Sequence, residues 1–198
     1  MAKLYFKYGA MGSSKTAQAL ITKFNYEERD MSVLLLKPSV DSRGGTSVVS
    51  SRIGLRADAV TVFPDTDIFS LYCEKYPERD VIIVDECQFL TPEQVDGLGK
   101  IVVERDIPVL CFGLATDFQT HLFPGSKRLF EIAESITEIK SVCKCGAKAT
   151  VNARLDGDGN VVTEGEQVLI GGNESYVAMC RKCWLARIAE QKAGKAEK

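Results

Sequence analysis

An α/β fold, a parallel sheet covered by helices and followed by a small β-rich module, is predicted by three features of this 198-residue sequence. Short apolar runs alternate with longer amphipathic stretches, the alternation stops near Ser141, and four of the seven cysteines then fall in two close pairs. With 45% hydrophobic residues the chain can bury one full core and carry a small second module, but not two large domains.

The runs at 4–8, 33–36, 81–84 and 109–112 read as strands. They are apolar at nearly every position rather than every second one, the pattern of strands covered on both faces. The stretches 15–28 and 92–104 read as helices. The second opens with Thr91, Pro92 and Gln94: a hydroxyl N-cap, a proline in the first turn, and an amide placed to complete a capping box. Beyond Ser141, Asp156-Gly-Asp-Gly-Asn160 reads as the turn of a hairpin between 151–155 and 161–163. The β-rich module is expected to run to Cys183, and the small, charged residues 193–198 to fray.

Charge and composition exclude some classes of function. Twenty-five Lys and Arg against 27 Asp and Glu give a net charge of −2, so no overall positive field exists to hold a nucleic-acid backbone. The start, Met1-Ala-Lys-Leu-Tyr-Phe6, lacks the regions of a secretory signal, and no apolar run approaches the roughly 20 residues of a membrane span. A cytoplasmic protein with no membrane partner is expected.

Gly9-Ala10-Met11-Gly12-Ser13-Ser14-Lys15-Thr16 follows the first strand and opens the first helix, where a phosphate-binding P-loop belongs. In such a loop backbone N–H groups and the helix N-terminus face the phosphates, the lysine neutralises the outer ones, and the hydroxyl ligates Mg²⁺. The usual pattern has glycine immediately before the lysine; here Ser14 stands there, and its Cβ limits backbone conformation and close approach. The bland alternative is a polar turn with a chance Ser-Lys-Thr. Val81-Ile-Ile-Val-Asp85-Glu86 supports the first reading, because it places two acids at the C-terminal edge of a buried strand. Asp85 can hold Mg²⁺ and Glu86 can face a nucleophile as general base; the alternative is a solvated strand end.

Cys143-Lys-Cys145 and Cys180-Arg-Lys-Cys183, separated by 34 residues, offer four soft ligands in two knuckles. That set suits a structural tetrahedral Zn²⁺ with no position left open for catalysis. Free thiols or a disulfide are the alternative. Cys73, Cys87 and Cys111 sit in apolar segments and read as small buried thiols, and His121, the single histidine, as a loop residue.

The phosphate loop, the Asp-Glu strand end and the late cysteine pairs together resemble the zinc-containing (type II) thymidine kinases. Asp41-Ser42-Arg43, Ser51-Arg52-Ile53-Gly54, Asp85-Glu-Cys-Gln88-Phe89, Gly113-Leu114-Ala-Thr-Asp-Phe118, Glu164-Gly-Glu-Gln-Val168 and Ile170-Gly171-Gly172-Asn-Glu-Ser-Tyr176 follow in the order of that family's motifs. The resemblance implies a RecA-like P-loop domain over 1–141, a zinc-binding lasso domain over 142–192 and a flexible tail. It implies transfer of the ATP γ-phosphate to the 5′-hydroxyl of thymidine, and also of deoxyuridine. Glu86 is then the base; Lys15, Thr16, Asp85 and Gln88 handle the triphosphate and Mg²⁺; Arg43 lies near the reacting phosphoryl group. Phe89, Leu114, Phe118 and Tyr176 form the base pocket with Met11 on its floor, and the lasso, with Leu169, Ile170, Gly171 and Gly172, closes over the nucleoside. A homotetramer inhibited by dTTP is implied as well. A nucleic-acid-linked P-loop ATPase is the competing class, since the Asp-Glu-Cys-Gln segment also resembles a helicase acidic motif, but 198 residues leave no room for a second lobe. A non-catalytic nucleotide-binding regulator, conceivable because of Ser14, is the third reading.

Overall fold

The computed structural model describes residues 1–40, 47–167 and 175–196. The chain runs β1 (Leu4–Tyr8), α1 (Lys15–Glu27), β2 (Val33–Pro38), β3 (Val48–Ser50), β4 (Arg56–Asp58), β5 (Val60–Val62), α2 (Ile68–Lys75), β6 (Val81–Val84), a 3₁₀ turn (Cys87–Phe89) and α3 (Pro92–Arg105). It continues through β7 (Val109–Gly113), α4 (Pro124–Ile132), β8 (Ser135–Glu138), β9 (Ser141–Val142), β10 (Lys148–Ala149), β11 (Val151–Arg154), β12 (Tyr176–Met179) and α5 (Arg181–Ala196). Six strands form one sheet in the order β5-β2-β6-β7-β1-β8, and every pairing in it is parallel.

The continuous apolar runs are explained by two cores, one on each face of this sheet. Leu4, Phe6, Leu34, Leu36, Ile82 and Val84 pack with Ile68 and Tyr72 of α2, Val95, Leu98 and Ile101 of α3, and Leu129 of α4. Their neighbours along the strands, Val33, Leu35, Val81, Ile83, Leu110 and Phe112, pack with Ala19 and Leu20 of α1 and Val49 of β3. All four residues of β6 are fully buried, so neither face tolerates a polar side chain; each such burial contributes about 1.5–3 kcal/mol. The start of α3 is the expected capping box: Gln94 N–H donates to Thr91 Oγ1 (3.2 Å) and the Gln94 side chain accepts from Thr91 N–H (3.1 Å).

The C-terminal module departs from the expected hairpin. The turn is present: Asp156 Oδ1 accepts from the N–H groups of Asp158 (3.0 Å) and Asn160 (2.7 Å), and Gly159 takes φ 79°. After a single bridge between Leu155 and Val161, however, the chain leaves, and β11 pairs along its length with β12, antiparallel, Val151 opposite Met179 and Arg154 opposite Tyr176. Packing decides this, because Ala153 and Met179 join Ala149, Cys143 and Cys180 in a small apolar cluster that 161–163 could not complete. Helix α5 runs from Arg181 to Ala196, rich in Ala, Lys and Arg.

Candidate active site

The loop expected to cradle phosphate lies where β1 hands over to α1 at the C-terminal edge of the sheet. Gly9 is required there, since an added Cβ would sit 2.3 Å from the Ile139 carbonyl oxygen and 2.6 Å from Ser13 Oγ. Ser14 adopts φ 61°, ψ 26°, the left-handed conformation, which is why glycine is usual at this position. Its hydroxyl does not cap α1, and no acidic residue occupies the helix's first turn, which suits an anion. Lys15 is buried and curls back over the loop, its Nζ donating to the carbonyls of Gly9 (3.0 Å) and Ala10 (2.9 Å) and to Ser13 Oγ (3.4 Å). Thr16 follows on the first turn, partly exposed.

Strand β7 separates β1 from β6, so the Asp85-Glu86 edge lies one strand away from the loop. Asp85 is buried, and its N–H donates to the Leu36 carbonyl (3.1 Å), extending the ladder by one residue. Glu86 then turns left-handed, φ 52°, which swings its half-buried carboxylate out of the strand direction. Gln88 holds that carboxylate: its Nε2 donates to Glu86 Oε2 (2.6 Å) while its Oε1 accepts from Leu114 N–H (2.9 Å). Gly113 makes the bridge possible, because a Cβ there would come within 2.5 Å of Gln88 Oε1 and 2.6 Å of Cys87 Sγ. Cys87 and Cys111 are fully buried, as expected of small apolar thiols, and burial pushes the Cys87 thiol well above its ordinary value.

Leu114 and Phe118 follow β7, Phe118 completely buried, while Phe89 stands edge-to-face on Phe123 at 5.7 Å. Met11 connects this side to the phosphate loop. Its N–H donates to Asn152 Oδ1 (2.8 Å), and Asn152 Nδ2 donates to the Thr116 carbonyl (2.8 Å), so one buried amide on β11 joins the loop to the segment after β7. Asp117 Oδ1 accepts from the N–H groups of Gln119 (2.8 Å) and His121 (2.9 Å), and its Oδ2 from Gln167 Nε2 (2.9 Å). The His121 side chain is exposed in a loop. Asn152, Arg154 and Asp117 escaped the sequence reading. Val151-Asn-Ala-Arg154 alternates like a strand with one wet face, yet all four residues are buried; asparagine inside a strand was the available signal. Arg43, Leu169, Ile170, Gly171 and Gly172 lie outside the described residues.

The four cysteines of the two pairs come together, their sulfurs all within 4.8 Å of one another. The Cys145–Cys180 separation is 3.7 Å, close to the edge of about 3.8 Å that a tetrahedron with Zn–S bonds near 2.3 Å requires. One knuckle is the β9–β10 turn, where Gly146 takes φ 87°; the other joins β12 to α5, where Cys183 N–H donates to Cys180 Sγ (3.4 Å). The N–H groups of Cys145 and Cys180 facing Cys143 lower its thiol to about 6, while the surrounding thiols push Cys183 up to about 12. The donor set, spacing and apolar support fit a closed tetrahedral zinc site.

A family model described as thymidine kinase matches residues 2–184. The chain is 46% identical over 186 residues to a thymidine kinase of Ruegeria pomeroyi, covering 93% of this chain and 94% of that protein. It is 47% identical over 184 residues to one from Shewanella oneidensis (92% and 96% covered) and 48% identical over 186 residues to one from Enterobacteria phage T4 (93% and 96%). Among the described residues no helix is long and apolar enough to cross a membrane.

Proposed function

The chain belongs to the thymidine kinase family, and from that footing we propose how its residues share the transfer of the ATP γ-phosphate to the 5′-hydroxyl of thymidine, which yields dTMP and ADP. The observation that carries the assignment is the juxtaposition at one sheet edge of a phosphate loop after β1 and a carboxylate, Glu86, aimed by Gln88 after β6. Phosphoryl transfer needs positioning and charge stabilisation more than covalent chemistry. Glu86 accepts the 5′-hydroxyl proton as that oxygen attacks phosphorus. Lys15, held over the loop by its carbonyls, turns to the β- and γ-phosphates when ATP displaces those contacts, and Gly9, Ala10, Met11, Gly12, Ser13 and Ser14 form the cradle. Thr16 and Asp85 would hold Mg²⁺, which when bound supplies positive charge to the phosphate oxygens. Gln88 acts first on Glu86, and Arg43 supplies a cation near the reacting group.

Phe89, Leu114, Phe118 and Tyr176 wall the base, with Met11 as floor, and 164–172 closes over it. Cys143, Cys145, Cys180 and Cys183 would hold Zn²⁺, which when bound would tie β9–β10 to β12 and α5 and so steady the segments that lead into that closure. A cytoplasmic homotetramer restrained by dTTP completes the proposal.

Backbone groups around Gly171 and Gly172 are the proposed readers of the base edge: a carbonyl accepts from thymine N3–H and an N–H donates to a thymine oxygen. Cytosine reverses both groups, and each buried unsatisfied partner costs about 1–3 kcal/mol. ADP release measured with thymidine, deoxyuridine and deoxycytidine tests this. Thymidine should exceed deoxycytidine by about 10²–10⁴ in kcat/KM, and deoxyuridine, lacking only the methyl, should fall by about 10-fold. Equal efficiency with deoxycytidine removes backbone readout.

A further inference from the structure

Side chains of β11 alternate between two faces. Ala153 faces the apolar cluster beneath the cysteines, while Asn152 and Arg154, two residues apart, share the face toward the catalytic domain. Arg154 is only 6% exposed. Its guanidinium lies 3.7 Å from the Phe118 ring centroid and 5.3 Å from that of Tyr176. Nε donates to the Tyr176 hydroxyl (2.9 Å), Nη1 to the Glu166 carbonyl (2.9 Å) and Nη2 to the Gln167 carbonyl (3.2 Å). One planar cation therefore touches two proposed walls of the base pocket and the two residues that lead into 168–172. Gln167, held by its carbonyl, is fastened a second time through its side chain to Asp117, next to Phe118.

Burying a guanidinium is costly, and the acceptors it meets here are a phenol and two peptide carbonyls rather than carboxylates. Stacking on Phe118 and a full set of directed hydrogen bonds offset that cost only for a rigid, planar fork. Lysine, a point charge on a flexible stem, can satisfy one or two of these acceptors but cannot stack and bridge at once. We propose that Arg154 is a positioning residue for the nucleoside: it fixes Phe118, Tyr176 and the stem of the closing segment as one unit, and so governs nucleoside affinity while leaving the ATP side intact. The proposal rests on the reading of 164–172 as the segment that closes over the nucleoside.

Full steady-state kinetics of Arg154→Met and Arg154→Lys, with thermal unfolding of each, test it. Arg154→Met should raise KM for thymidine by about 10-fold or more, with KM for ATP and kcat within about 2-fold of wild type. Arg154→Lys should stay close to Arg154→Met rather than to wild type, and it carries the same test should the methionine variant not fold. A wild-type thymidine KM in either variant overturns the proposal, as does a parallel rise in both KM values, which marks general damage to the fold. Gly172→Val separates the proposal from its footing. If it leaves thymidine KM unchanged, the reading of the closing segment falls whatever Arg154 does. If it raises KM while Arg154→Met does not, that reading stands and the role of Arg154 falls.

Discussion

Lys15 donates three hydrogen bonds within six residues of itself, to Gly9, Ala10 and Ser13. Asn152, on the nucleoside side, reaches 36 residues back to Thr116 and 141 residues back to Met11. The proposed phosphate side is built mainly from one strand, one turn and one helix, with Met11 tied to β11; the proposed nucleoside side exists only once distant segments have docked. The difference suggests a division of labour: lesions on the first side should act on chemistry, lesions on the second on affinity.

Removing the metal should break the second side most completely. Four thiolates at a closed site couple metal binding to folding of the module, so chelation should release about one zinc per chain and abolish thymidine turnover before ATP binding is lost. Elemental analysis with titration of both substrates checks this, and a metal-free preparation of full activity would contradict it.

Asn152 probes the seam between the two sides. Asn152→Leu keeps the branched shape but strands the Met11 N–H and the Thr116 carbonyl in a buried site, at a cost of about 2–6 kcal/mol. Denaturation should register that loss. Because Met11 is proposed for both the phosphate loop and the pocket floor, KM should rise for ATP and thymidine together, by contrast with the thymidine-only effect expected at Arg154.

The smallest effect is expected at Ser14. A left-handed non-glycine residue costs roughly 1–2 kcal/mol, and the entropy of a glycine returns about half of that on the unfavourable side. Ser14→Gly should therefore stabilise the protein by less than about 1 kcal/mol and leave ATP affinity equal or better. A large loss of activity would instead give the hydroxyl a direct part in binding.

What could be read from the sequence follows the same division. The run at 81–84 is β6 to the residue, and the Thr91-Gln94 capping box forms as expected, because burial on two faces and helix capping leave signals within a few positions. The strand-loop-helix placement of 9–16 and the meeting of the two cysteine pairs were legible for the same reason. The pairing of β11 with β12 was not, since the Asp156 turn is locally correct for a hairpin and only packing against the cysteine cluster selects the distant partner. The roles of Asn152 and Arg154 were hidden for a related reason: alternation in a strand reports that one face is polar, not what that face meets. The left-handed turn of Glu86 was also hidden, as nothing in an Asp-Glu strand end specifies φ 52°.

Glu86→Gln tests the central claim most directly, because it keeps size and the ability to pair with Gln88 while removing basicity. Steady-state kinetics should show kcat lowered by about 10²-fold or more, with KM for thymidine and for ATP each within about 3-fold of wild type. A variant that retains most of its kcat would show that Glu86 is not the base, and the assignment of chemistry to this edge of the sheet would have to be abandoned.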